Sequence, residues 1–154
     1  MEQGRRRFLR SSGGLIGALV AAGFIGIDEV RAEAWNAAAF ESKDLDQLIR
    51  NLGGSGAKAT DAIEIVAPDI AENGAVVPIG VASKVEATEA IAIVVERNPN
   101  PLAALFTIPP GTLPALQTRV KMAETCNVVV LIKAAGEFQY AAKEIKVTIG
   151  GCGG

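Results

Sequence analysis

The apolar residues keep a helical spacing up to about Gly53 and a strand spacing after it. Between residues 40 and 54, Leu45, Leu48, Ile49 and Leu52 recur at three- and four-residue intervals, which predicts one amphipathic helix. Ser42 is placed to cap it, Asp44 falls in its first turn, Asp46 and Arg50 are spaced to pair on its exposed face, and Gly53-Gly54 ends it. After the loop Gly53-Gly54-Ser55-Gly56 come short Val- and Ile-rich runs separated by Pro, Gly and Asn. They predict strands over 62–67, 76–83, 89–96, 103–107, 117–123, 128–134 and about 140–149.

In the last of these Ile145, Val147 and Ile149 share one face while Glu144, Lys146 and Thr148 share the other. Thr118, Val120 and Met122 likewise oppose Arg119 and Lys121, whereas 91–95 is apolar on both faces and predicts a strand covered on both sides. Pro78 inside a run predicts an edge or a bulge. Asn98-Pro99-Asn100-Pro101 and Pro109-Pro110-Gly111 read as turns or crossovers. About seven short strands in some ninety residues, with no long amphipathic helix between them, predict an all-β, immunoglobulin-like antiparallel sandwich.

The two ends depart from this pattern. Arg5-Arg6-Arg7-Phe8-Leu9-Arg10 precedes a glycine-rich apolar stretch over 13–27 and a small-residue cleavage site at Val30-Arg31-Ala32. Residues 1–32 are therefore expected to be a twin-arginine signal that exports the folded chain to the periplasm. The apolar stretch is too short and too rich in glycine to span a bilayer comfortably, so no membrane partner is expected. Residues 33–149 make one domain, large enough to bury a core without disulfides. Without Arg5, Arg6, Arg7, Arg10, Arg31, Glu2, Asp28 and Glu29, the mature chain has ten basic and fourteen acidic residues, net charge −4. Its basic residues are scattered singly, which excludes a phosphate-backbone patch and makes nucleic acid an unexpected partner.

At the other end Gly150, Gly151, Gly153 and Gly154 flank a single thiol, Cys152. Glycine lacks a Cβ, so residues 150–154 are expected to form a flexible arm narrow enough to carry the thiol into a pocket of another protein. A structural cysteine needs no glycines around it. A lasting Cys126–Cys152 disulfide would tie that arm down, and Cys126, placed before the apolar run 127–132, reads as a half-buried, unreactive thiol still able to form a transient bridge.

The chain contains no histidine, which excludes a Ser-His-Asp or Cys-His site and any His-ligated metal. Two distant cysteines make neither a CxxC redox site nor a four-thiolate zinc site. The lysine of 54–60 lacks the spacing of a phosphate-binding loop, and Glu86, Glu89 and Glu96 read as solvated charges rather than an acid/base set. Cys152 has no base beside it, and its nearest cation in sequence is Lys146. These residues describe a handle without an activator: a carrier, not an enzyme, with no cofactor of its own.

The terminal Gly-Gly-Cys-Gly-Gly, the twin-arginine segment, Asn98-Pro99-Asn100-Pro101-Leu102-Ala103, the segment 118–125 and Lys143-Glu144-Ile145-Lys146-Val147-Thr148 together resemble the SoxY family, sulfur-carrier subunits of the periplasmic thiosulfate-oxidising Sox complex. The resemblance implies an immunoglobulin-like domain paired with a SoxZ subunit, with sulfur intermediates held covalently on Cys152. It further implies loading by the c-type cytochrome complex SoxAX, release of sulfate by the hydrolase SoxB, and transfer to a sulfane dehydrogenase. Cys126 departs from the family pattern. Two other readings compete: a Gly-Gly carboxylate activated as a thiocarboxylate, and a structural or adhesive exported domain.

Overall fold

The computed structural model describes residues 36–148, as two short helices and nine strands. The helices are α1 (Ala37–Phe40) and α2 (Leu45–Asn51). The strands are β1 (Ala57–Ala59), β2 (Ile63–Val66), β3 (Ile70–Ala71), β4 (Val77–Ser83), β5 (Thr88–Val95), β6 (Leu102–Thr107), β7 (Ala115–Val120), β8 (Cys126–Ala134) and β9 (Glu137–Val147). One sheet has the order β1-β9-β8-β5-β6, with β3 also on β9; the other is β2-β4-β7. In immunoglobulin lettering these are G-F-C-C′ (β9-β8-β5-β6) facing A-B-E (β2-β4-β7), the sandwich the strand count predicts.

The pairing is not wholly antiparallel, because β1 and β3 run parallel to β9. At three and two residues they are too short to show a period-two pattern. Their place comes from β9, whose eleven residues leave backbone groups on the edge away from β8 that must find partners.

The predicted helix is α2, preceded by the short α1 that the sequence pattern did not mark, and its cap is Asp44 rather than Ser42. The Asp44 carboxylate accepts the Gln47 N–H at 2.7 Å, the geometry of an N-cap, and its charge suits the helix's positive end. Ser42 is buried and joins the helices instead: its hydroxyl donates to Ala38 O at 3.0 Å and accepts from Asn51 Nδ2 at 2.9 Å. Asp46–Arg50 is not among the ion pairs of the described residues, which are Lys58–Glu137, Arg97–Glu124 and Lys143–Asp69. Gly53, at φ +86°, ends α2 as predicted, with Gly53 N–H and Gly54 N–H donating to Arg50 O and Ile49 O.

The large sheet is covered on both faces. Ile91, Ile93 and Val95 of β5 and Val128, Val130 and Ile132 of β8 point between the sheets, against Val77, Ile79 and Val81. Ala92, Val94, Val129 and Leu131 point the other way, onto Leu48 and Ile49 of α2. This is why 91–95 carries no polar alternation: the helix pair occupies the face that would otherwise be wet. Pro78 lies beyond β2, whose pairing with β4 reaches only Gly80, so β4 is an edge there, as predicted.

The strand predicted from about Tyr140 starts at Glu137, because β8 turns into β9 through the two residues Ala135 (φ +49°) and Gly136 (φ +78°). Both positive φ values belong to a type I′ hairpin, and alanine there carries a steric cost that asparagine avoids. Ala135→Asn is expected to stabilise the domain by about 1 kcal/mol and raise Tm by roughly 4 °C in a thermal melt.

Candidate functional site

Cys152 and the glycines Gly150, Gly151, Gly153 and Gly154 lie outside the described residues, as do the signal segment and its cleavage site. What is described is the root from which that segment leaves the sandwich. The β8–β9 ladder ends at the pair Cys126–Ile145, so Lys146, Val147 and Thr148 have no strand on the β8 side. The Thr125 side chain takes over: its Oγ1 accepts the Val147 N–H at 2.9 Å and lies 3.5 Å from Val147 O. On the opposite edge Lys146 N–H donates to Asp69 O at 3.0 Å and Thr148 N–H to Ala71 O at 3.1 Å. Thr148 Oγ1 reaches Glu72 O at 3.5 Å. A β-strand three residues from the glycines is thus held on both edges after its sheet partner has ended.

The segments beneath the root are braced in turn. Lys143 Nζ donates to Ala67 O at 2.6 Å and pairs with Asp69 Oδ1 at 3.0 Å, which holds the crossover leading into β3. Gly74 O accepts the Met122 N–H at 2.7 Å, and a Cβ on Gly74 would lie 2.5 Å from Met122 O and 2.9 Å from Val147 Cγ1. Asn98, in the predicted Asn-Pro turn, donates to Lys121 O at 2.7 Å and accepts the Ala123 N–H at 3.1 Å. Loops 72–76, 96–101 and 121–125 are therefore locked to one another beside the end of β9.

Several of these residues lie in the segments that carry the family resemblance, but their anchoring role was not legible in the sequence. Thr125 looks like any polar residue before a strand, and the need for glycine at 74 exists only because Met122 and Val147, distant in sequence, close over it. Thr125→Val, which keeps the shape and removes the acceptor, is expected to cost about 1 kcal/mol. Its signature is faster amide exchange at Val147, with exchange at Val130 changed only by the global shift.

Cys126 opens β8 and is buried, 7% exposed, within the core between the sheets; it is more enclosed than the half-buried position expected. Burial pushes its thiol above the ordinary value of 9.0, with Glu96 and Glu124 adding to the rise and a backbone hydrogen bond from Arg97 opposing it. A raised pKa means less thiolate at any pH below it, so the unreactive role predicted for Cys126 has a physical cause. With an alkylating agent at pH 8, the native chain is expected to lose one thiol quickly, and Cys126 to react only after denaturation.

Glu89 lies near the start of β5 and Glu96 just past its end, so the length of the strand separates them, and Glu96 accepts from Asn127 Nδ2 at 3.0 Å. Among the described residues Ser42 is the buried polar side chain, and no group of three acidic, Cys or His residues is disposed to hold a metal ion. The arrangement of the described residues anchors a chain end; it does not itself converge reactive groups.

Comparison with known proteins identifies the family of this sandwich. The family model described as sulfur oxidation protein SoxY matches residues 49–152, from α2 through the root to Cys152. The chain belongs to the SoxY family. A solved structure of the sulfur carrier protein SoxY from Chlorobium limicola f thiosulfatophilum is 38% identical, with a TM-score of 0.62, over 68% of this chain and 94% of that one. The BSP domain of a biofilm associated protein is a remote match, 15% identical with a TM-score of 0.38, over 58% of this chain and 16% of that one. No curated protein matches. The SoxY match spans both sheets and the last three residues of α2, so the β-sandwich here is a SoxY domain.

Proposed function

We propose that this SoxY-family chain is a covalent sulfur carrier of the Sox system, and that Cys152 is the atom of attachment. In the first step the thiol is joined oxidatively to thiosulfate: RSH and S2O3²⁻ give R–S–S–SO3⁻, a proton and two electrons. The S–S bond formed is the oxidation, and the electrons pass to the c-type cytochrome of SoxAX. Hydrolysis by SoxB then breaks the bond between sulfur and the sulfonate: R–S–S–SO3⁻ and water give the persulfide R–S–S⁻, sulfate and two protons. A sulfane dehydrogenase then takes six electrons from the outer sulfur, R–S–S⁻ and three waters giving R–S–SO3⁻ and six protons, and a second hydrolysis with one water returns R–SH, sulfate and a proton. Every change is at sulfur atoms beyond the Cβ of Cys152, and thiol persulfides are reversible, so the carrier is reset.

The observation that carries this reading is the lone thiol among four glycines, inside the family match and five residues beyond a strand end held on both edges. A firm root fixes where the segment starts, and glycines leave its tip narrow and adaptable. The haem and metal chemistry belongs to the partners. The same reading includes pairing with SoxZ, and export to the periplasm by the twin-arginine signal of residues 1–32, since thiosulfate-oxidising cytochromes act there.

Intact mass of the chain isolated from cells given thiosulfate tests the assignment. The expected result is an adduct removed by reductant and absent from Cys152→Ala. An adduct that persists in Cys152→Ala, or one attached at the carboxylate of Gly154, would point to the thiocarboxylate route instead.

A further inference from the structure

The loop beneath the end of β9 contains the one Asn-Gly pair of the chain, Asn73-Gly74, and the fold requires both residues. Glycine is forced at 74 because a Cβ there would lie 2.5 Å from Met122 O, and Asn73 closes the turn by accepting the Ala75 N–H on Oδ1 at 2.9 Å. The same two residues are the reactants of an intramolecular cyclisation, in which a backbone amide nitrogen attacks the side-chain carbonyl carbon of the asparagine before it. Glycine favours the attack, having no side chain to obstruct the approach.

Three features of the loop promote this reaction. The Asn73 side-chain carbonyl reaches forward to Ala75, so the ring closed by its hydrogen bond encloses the Gly74 amide, which is the nucleophile. The Ala75 N–H points at Oδ1, where negative charge develops during the attack, and a donor already in place lowers the barrier as an oxyanion hole does. Asn73 is exposed, so water can protonate its amide nitrogen as it leaves. The other five asparagines lack this combination. Asn98 and Asn100 precede prolines, which have no N–H to give up. Asn36, Asn51 and Asn127 precede residues with side chains, and each ties down its amide nitrogen, on Asn51 O, Ala38 O and Glu96 Oε2.

We propose that Asn73-Gly74 is a self-modification site, at which the folded chain converts its own asparagine to a cyclic imide and then to isoaspartate or aspartate. In the first step the Gly74 nitrogen bonds to Asn73 Cγ and loses its proton, while the Cγ–Nδ2 bond breaks and ammonia departs. In the second, water opens the imide at either carbonyl and leaves a carboxylate and a proton. No oxidant or cofactor takes part. Opening at the main-chain carbonyl routes the backbone through the Cβ of residue 73, and the added methylene draws Gly74 O away from the Met122 N–H that it holds. The root beside Val147 therefore loosens as residue 73 ages. The chemistry stands apart from the carrier reading; only its consequence for sulfur transfer rests on that reading.

The test holds the mature chain, folded, in mildly alkaline buffer, with a parallel sample in denaturant, and follows the mass of the peptide spanning residue 73 with time. The expected result is conversion of amide to acid at 73 at least as fast in the folded sample as in the denatured one, with isoaspartate detected by an isoaspartyl methyltransferase and the other asparagines intact. Amide exchange at Met122 quickens in aged wild type but not in aged Asn73→Ser, whose hydroxyl can accept the Ala75 N–H instead. Thermal melts of fresh samples establish that both are folded; should the variant fail to fold, the comparison of folded with denatured wild type decides alone. A folded sample that stays unconverted, or converts more slowly than the denatured one, would overturn the proposal, as would equal conversion at Asn36, Asn51 or Asn127.

Discussion

Cys152→Ser is expected to abolish thiosulfate-dependent sulfur loading and electron release to cytochrome c, a loss of roughly a thousand-fold or more that leaves only background. The substitution replaces one atom. A hydroxyl oxygen forms neither a disulfide with thiosulfate nor a persulfide, so no adjustment elsewhere can compensate. The measurement is cytochrome reduction by the reconstituted complex, read beside the mass of the carrier. Tm unchanged within about 1 °C of wild type shows that the loss is chemical and not a loss of fold. Full activity with serine would remove the thiol from the mechanism. Cys126 offers no rescue, since its burial within the sandwich holds it protonated and enclosed.

Gly74→Ala is the second large effect expected, this time on stability. A Cβ at this position meets a backbone oxygen, Met122 O, at 2.5 Å, and backbone cannot rotate away as a side-chain tip can. On the other side Val147 Cγ1 is 2.9 Å away, so movement in that direction pushes on the root itself. Overpacking of this kind costs about 2 kcal/mol, which corresponds to a fall in Tm of about 8 °C. Faster amide exchange at Lys146 and Thr148, the donors to Asp69 O and Ala71 O, would locate the damage. Gly56→Ala is the matched control: its Cβ meets nothing within 4 Å, so the same change there is neutral or stabilises by up to about 1 kcal/mol through the unfolded chain. Equal losses at both sites would mean that the packing around Met122 yields.

The two substitutions separate the carrier's tip from its base. On the proposed function, the tip is a chemical requirement met by one residue type in a glycine context. The base depends on loops 72–76 and 121–125 meeting under β9, so it answers to packing rather than to reactivity.

Residue order by itself determined the strands with a strong period and the helix-ending glycines, and it is the source of the proposal that Cys152 is the reactive residue. Alternation in 145–149, the doubly apolar 91–95 and the isolated thiol of Cys152 are local signals, and local signals survive without knowledge of distant neighbours. It also misplaced the cap, since Ser42 and Asp44 are equally good caps until Ser42 is drawn between Ala38 and Asn51. Only the tertiary structure decided that β1 and β3 line the free edge of β9, that Ala135 adopts positive φ in the hairpin, and that Thr125 and Gly74 secure the root. Each of those depends on backbone groups far apart in the chain meeting and needing partners or room. A short segment contains no trace of the neighbour that will make it necessary.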